Sequence, residues 1–340
     1  MENYIPYILI DSGIDTKNNY LNNTLGGIFF SLDENKEIIT SENYNDSNGH
    51  GTMCASIIKT VCSIAKPFVI KIVNDKGLTS YKLLVKALEY SMKLDIKIIC
   101  ISLATINKNA YFDIFNVCNN LKNNGKIIIS SLHNNYLESY PASLASVIGI
   151  AGNDFNGNLN EFWFNSKNKI QGIFDGIPQF VCTKNSRFEL FKGNSKATSL
   201  ATGNVLNILK GKRDYSFEDI NFYMDKTSSN NKWDNSELVL SKTFKFIDKD
   251  IILEDRDLMI KILEVINKKN NKNLKLKEIL NYPIITKTTG INFKNIYDLL
   301  KEIENVFDIR FNFKKINAYD VCSLESLTNL VKGLIKNELL

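Results

Sequence analysis

The chain has 340 residues, 44% of them hydrophobic and 23% charged, with 17 glycines and 5 prolines. That composition excludes wholesale disorder and any collagen-like or linker-dominated chain. The net charge of +5, from 42 basic and 37 acidic residues, is a mild excess without a dense Lys/Arg block, so neither a nucleic-acid nor a membrane partner is expected.

Length alone predicts two domains, at roughly 150 residues each. Short runs rich in Ile and Val at 7–10, 68–72, 96–101, 126–130 and 147–151 read as buried strands. Helix-period segments at 51–61, 80–94 and 110–123 lie between them. This alternation predicts an α/β domain with a mostly parallel sheet, right-handed crossovers and helices on both faces. Residues 229–253 are polar and turn-rich and read as an inter-domain connection. Beyond them the pattern is helical. Met259, Ile262, Leu263 and Ile266 share one face, Ile296, Leu299, Leu300, Ile303 and Phe307 repeat the spacing, and 324–334 is a third amphipathic stretch.

Two histidines, His50 and His133, are the tightest chemical constraint. Imidazole chemistry must use one of them, and a multi-histidine metal site is excluded. The six cysteines show no CxxC spacing and read as buried, reduced thiols. No apolar run reaches the ~18 residues of a membrane span, and residues 1–10 lack the parts of a secretory signal, so a cytoplasmic chain is expected.

A histidine base needs a nucleophile on one side and a carboxylate orienting its other nitrogen. Asp11 ends an apolar strand in Ile-Leu-Ile-Asp-Ser-Gly, at the sheet edge where α/β sites are built. His50 opens a helical stretch in Asn-Gly-His-Gly-Thr. Ser195 lies in Gly-Asn-Ser-Lys-Ala-Thr, a small-residue turn entering an apolar helix, whose positive end favours a developing oxyanion.

Asp-Ser-Gly, His-Gly-Thr and Gly-Asn-Ser-Lys-Ala-Thr, in that order, resemble the three signatures of subtilisin-like serine peptidases. The resemblance implies that Asp11 is the orienting acid, His50 the base and Ser195 the nucleophile. Ile99-Cys-Ile-Ser-Leu-Ala104 resembles the family strand that pairs with substrate, which implies substrate-binding roles for Ser102, Leu103 and Ala104. Lys126-Ile-Ile-Ile-Ser-Ser-Leu-His-Asn134 resembles the strand whose terminal Asn donates to the oxyanion, which assigns that role to Asn134, with Asn135 as a substitute. Tyr140-Pro-Ala and Ser146-Val-Ile extend the match, which covers roughly residues 5–228. There are departures. His133 replaces the Gly before the oxyanion Asn and reads as a cleft-lining residue; Ala104 replaces a Gly and narrows the cleft; Asn194 and Lys196 replace Thr and Met beside the nucleophile. Cys54 falls one helical turn after His50, as a similar cysteine does in proteinase K-like members, with packing as its default role. The short peptidase portion implies trimmed surface loops. No metal or cofactor is expected; structural calcium remains open. Because Asp11 follows Met1 so closely, the chain resembles the intracellular, prodomain-free members.

Thr289-Gly-Ile-Asn-Phe and Phe307-Asp-Ile resemble the two ends of the second helix of an acyl or peptidyl carrier protein, and Ser323-Leu-Glu-Ser-Leu the opening of its last helix. This second resemblance covers about 254–340 and implies a small four-helix, all-α bundle. The family's phosphopantetheine-bearing serine falls on Phe293, so no prosthetic group is expected. Residues 254–340 hold 15 basic and 12 acidic residues, whereas carriers are usually acidic.

The expected domains are therefore 1–228 (peptidase), 229–253 (linker) and 254–340 (carrier-like). The expected function is a cytoplasmic serine endopeptidase that processes a peptide or protein substrate, such as a precursor losing its leader. The alternatives are a transamidase or macrocyclase using the same acyl-enzyme, and a silent module whose residues 254–340 recruit a biosynthetic enzyme or other protein.

Overall fold

The computed structural model describes residues 4–21, 23–210, 214–238, 255–280 and 282–337. The chain divides into two compact units. The first comprises Met1–Ile177, Cys182–Ser186 and Lys192–Lys242; the second comprises Pro178–Val181, Arg187–Phe191 and Thr243–Leu340.

In the first unit the elements run β1 (Ile5–Asp11), β2 (Gly26–Leu32), β3 (Ile38–Ser41), α1 (His50–Val61), β4 (Ala65–Lys71), α2 (Tyr81–Ser91) and β5 (Ile98–Ile101). They continue with α3 (Tyr111–Asn123), β6 (Ile127–Ser131), β7 (Val147–Asn153), β8 (Phe162–Phe164) and β9 (Gly172–Asp175). Next in the chain is a hairpin, β10 (Gln179–Cys182) and β11 (Phe188–Phe191), whose residues 178–181 and 187–191 belong to the second unit; the first unit resumes with α4 (Asn194–Leu209) and α5 (Phe217–Thr227). Strands β1–β9 form one sheet in the order β3-β2-β4-β1-β5-β6-β7-β9-β8. Pairing is parallel except for β2 with β3 and β8 with β9. This is the expected α/β architecture, with extra strands at both edges.

Register places the site. Ile8 and Ile10 of β1 stand opposite Ile99 and Ile101 of β5. All four share a core with Leu83, Leu84, Leu88, Ile114 and Leu121 from α2 and α3. Side chains alternate across a strand, so Asp11 faces the other side, where α1 and α4 pack against each other.

Residues 229–238, expected to belong to a linker, are part of this unit. Ser229 N–H donates to the Phe162 carbonyl at 3.0 Å, and Phe164 N–H to the Asn230 carbonyl at 3.0 Å. Trp233 is 1% exposed and packs with Leu132, Ala151, Ile170 and Ile173. Burying a side chain that large outweighs the local turn-rich composition. The remaining linker residues, 239–253, lie outside the described residues.

The second unit holds α6 (Arg256–Asn270), α7 (Leu276–Ile279), α8 (Ile296–Phe307), α9 (Ala318–Val321) and α10 (Leu324–Asn337). The apolar faces read from sequence meet in its core, Ile262 and Ile266 with Leu299, Ile303, Leu327 and Val331. The expected boundary at 254 is incomplete, because Phe180 and Leu190 of the hairpin lie in that same core. Phe180 and Phe188 pack on Phe313 with ring centroids 5.5 and 5.3 Å apart. Phe180 N–H donates to the Ile316 carbonyl, Ala318 N–H donates to the Pro178 carbonyl, and Arg187 pairs with Asp298 at 2.7 Å. Phe293 packs partly buried against the core. Among the described residues, no helix is long and apolar enough to cross a membrane.

Candidate active site

Asp11 is fully buried at the end of β1. Its Oδ1 accepts from the Ser12 N–H at 2.7 Å and lies 2.7 Å from Nδ1 of His50, the first residue of α1. Two glycines make this approach feasible. A Cβ on Gly51 would stand 2.2 Å from the Gly13 carbonyl oxygen, and one on Gly13, which has φ +110°, would stand 2.4 Å from that of Tyr44. The glycines of Asp-Ser-Gly and His-Gly-Thr are thus the points where α1 closes on β1.

Helix α1 has no side-chain cap from its own N-cap residue, Gly49. Asp46 does that work from three residues upstream. Its buried carboxylate accepts from the N–H groups of Asn48, Gly49 and Thr52 and from the hydroxyls of Ser12 and Thr52. Ser12 Oγ in turn accepts from the Gly51 N–H at 2.9 Å. The motif residues beside Asp11 and His50 are therefore locked to each other through one carboxylate.

Ser195 is the second residue of α4, and the residues on either side of it are anchored. Asn194 Oδ1 accepts from the Gly152 N–H at 2.8 Å, and its Nδ2 donates to the Leu132 carbonyl at 2.7 Å. Lys196 Nζ pairs with Asp175 Oδ2 at 2.5 Å, both side chains fully buried. Ser195 Oγ donates to the Ser102 carbonyl at 3.5 Å, the outer limit of a hydrogen bond.

A family model described as the subtilase family, peptidase S8, matches residues 8–242. The chain belongs to the subtilase family. It is accordingly a serine-type peptidase, a hydrolase. Solved structures that share the fold of this subtilase include two proteinases. A cold adapted subtilisin-like serine proteinase aligns with TM-score 0.53 and 11% identity, over 68% of this chain and 86% of the other. A lanthipeptide protease aligns with TM-score 0.53 and 16% identity, over 65% of this chain and 79% of the other. No curated protein matches the chain.

Of the other expected site residues, Ser102 meets Ser195 through its carbonyl and Asn134 meets the neighbouring Asn194. Asn134 is exposed, and its Oδ1 accepts from the Asn194 N–H at 3.3 Å, at the turn that leads into α4. Residues 102–104 continue β5; Ser102 is buried, whereas Leu103 and Ala104 are half-buried. The next residue, Thr105, bridges Tyr140 through two backbone hydrogen bonds of 2.8 and 2.9 Å. His133 is turned into its own loop. Its Nδ1 accepts from the Asn135 N–H at 3.1 Å, and its ring packs edge-on against Tyr136.

Burial opposes a charged His50, but the Asp11 carboxylate overrides it and holds the imidazole pKa well above the ordinary 6.5. Cys54 Sγ lies 3.7 Å from Asp11 Oδ2 and 3.8 Å from His50 Nδ1. Burial pushes its thiol pKa up from 9.0, so it stays protonated near neutrality. Asp11, His50 and Cys54 offer donor atoms within 4.8 Å of one another, and a soft cation seated there would compete with the Asp11–His50 hydrogen bond. All six cysteines are free and buried.

Sequence reasoning did not find Asp46 or Asp175. An acid four residues before a helix-opening histidine was an available signal for Asp46. For Asp175 the signal was indirect: a lysine entering a helix of small buried residues needs an acidic partner.

Proposed function

We propose that this subtilase is a dedicated, cytoplasmic peptide-processing endopeptidase that works through Asp11, His50 and Ser195. The observation carrying this reading is the 2.7 Å contact between fully buried Asp11 and His50, together with Ser195 at the N-terminus of α4. His50 takes the Ser195 proton as Oγ attacks the scissile carbonyl, and Asp11 fixes the ring and stabilises the imidazolium. The oxyanion that forms is held by the Ser195 N–H and the side-chain amide of Asn134. His50 returns the proton to the leaving amine, and water releases the acyl group by the reverse steps. Substrate lies extended along residues 102–104 as an added strand.

The processing role draws support from the likeness to a lanthipeptide protease and from the compact peptidase portion joined to a helical unit. We read that helical unit as carrier-like without a cargo. Phe293 occupies the position of the attachment serine and lacks a hydroxyl, so the unit serves to dock a protein such as a biosynthetic enzyme. The reaction needs no metal or cofactor.

A biotinylated fluorophosphonate tests the triad. Labelling of Ser195 in the wild type that disappears in His50→Ala and Ser195→Ala is the expected result. A wild-type chain that stays unlabelled across pH overturns the assignment.

A further inference from the structure

Helix α4 enters the first unit through a run of small side chains, and Ala197, Thr198, Ser199, Leu200 and Ala201 are all buried. A lysine with no exposure stands at the head of this run, directly after Ser195. For stability alone an unbranched apolar side chain fills that space without the desolvation cost of an ammonium. The charge therefore calls for a reason in what it holds.

It holds three chain segments together. Lys196 Nζ donates to Asp175 Oδ2 at 2.5 Å and to the Ile177 carbonyl at 2.9 Å. Asp175 Oδ1 accepts from the N–H groups of Phe155 and Gly157, in the turn after β7, at 3.1 and 3.3 Å. Backbone bonds run beside this network, from Gly176 N–H to the Asn153 carbonyl at 2.6 Å and from Gly193 N–H to the Gly176 carbonyl at 2.7 Å. Asn194 ties the opposite flank to Gly152 and Leu132. A methionine fills volume at this point, but it supplies neither direction nor a fixed distance. A charge-assisted bond with both partners buried supplies both.

We propose that Lys196 and Asp175 are positioning residues. Their ion pair clamps the first turn of α4 to the end of β9, so that Ser195 Oγ and the Ser195 N–H meet the substrate carbonyl in a single geometry. The proposal rests on Ser195 being the nucleophile, and it extends that reading to the two residues that aim it. Placement errors near 1 Å slow an enzymatic attack severely while leaving the encounter intact.

The experiment is saturation kinetics of labelling by a biotinylated fluorophosphonate, which separates KI, the encounter, from kinact, the attack by Ser195. Melting temperature is followed alongside. Lys196→Met should lower kinact by at least about tenfold with KI changed by less than about twofold. The double variant Asp175→Asn with Lys196→Met leaves no unpaired charge and keeps an acceptor for Phe155 and Gly157. It should recover the melting temperature lost in the single variant while kinact stays low. Return of kinact together with the melting temperature would show that the pair only offsets its own burial, and would overturn the proposal. Wild-type kinact in the single variant would do the same. If Lys196→Met proves insoluble, the double variant decides alone. Failure of the wild type to label at all is a separate outcome, and it overturns the nucleophile assignment instead.

Discussion

Oδ1 of Asp11 stands 2.7 Å from Nδ1 of His50, joining a carboxylate with no exposure to an imidazole side chain that is 28% exposed. Burial disfavours the protonated ring, and the adjacent carboxylate reverses that effect, so His50 binds its proton more tightly than a free histidine. A general base must be neutral. The acid limb of kcat/KM, or of fluorophosphonate labelling, should therefore have its inflection above 6.5. Asp11→Asn should move that limb to lower pH and slow the reaction by about 10⁴-fold, since the amide leaves the ring in the wrong tautomer. An acid limb unmoved by the substitution would show that Asp11 does not govern His50. Linkage has a sign as well. The folded-state pKa lies above the unfolded one, so this pair contributes stability fully below pH 6.5 and loses it as pH rises through the folded-state value.

Asp46 supports the same histidine from behind. Its Oδ2 accepts the N–H of Thr52 at 3.0 Å and the Thr52 hydroxyl at 2.6 Å, while Oδ1 takes Ser12, Asn48 and Gly49. Asp46→Ala removes the cap of α1 and strands several buried donors, a loss of about 2–4 kcal/mol. Urea unfolding should show that loss at an unchanged m-value, with labelling of the remaining folded protein slowed. Stability within about 0.5 kcal/mol of wild type would mean that water replaces the carboxylate and that α1 needs no such anchor.

What sequence could reveal follows from how far each signal reaches. Strands β1, β4, β5, β6 and β7 are central and parallel, covered on both faces, and appear as continuous Ile/Val runs. The edge strands β3 and β8, and β2 next to the edge, are half-exposed or very short, and their pattern is weak. Asp11, His50 and Ser195 were legible because each sits in a local motif whose glycines meet a steric demand, as Gly51 does against Gly13. The Asp175–Lys196 pair spans 21 residues, and no local pattern announces it. Lys196 registered only as a departure from the family. Trp233 shows the opposite limit: its neighbours in sequence are polar, and only the packed structure reveals that it is core.

The hairpin bears on how the chain can be cut. The family match ends at residue 242, which makes 1–242 a natural truncation, and the expected carrier-like boundary at 254 implies a separable tail. Residues 178–181 and 187–191 contradict that separation, since they belong to the same compact unit as 243–340. Phe180 is 1% exposed and Leu190 7% exposed within the helical core, and Phe188 packs against it. Removing the helices returns these three side chains to water, at about 1.5–3 kcal/mol for each one fully buried. The 1–242 chain should be poorly soluble, or soluble with strong binding of a hydrophobic dye. Replacing Phe180 and Phe188 by serine in that truncated chain should restore solubility, because both rings of the exposed patch are then gone and Leu190 alone remains. The same two serines in the full-length chain should destabilise it, because there the rings face Phe313. A soluble, monomeric 1–242 chain with full fluorophosphonate labelling and no dye binding would show that the helical unit is dispensable to the hairpin.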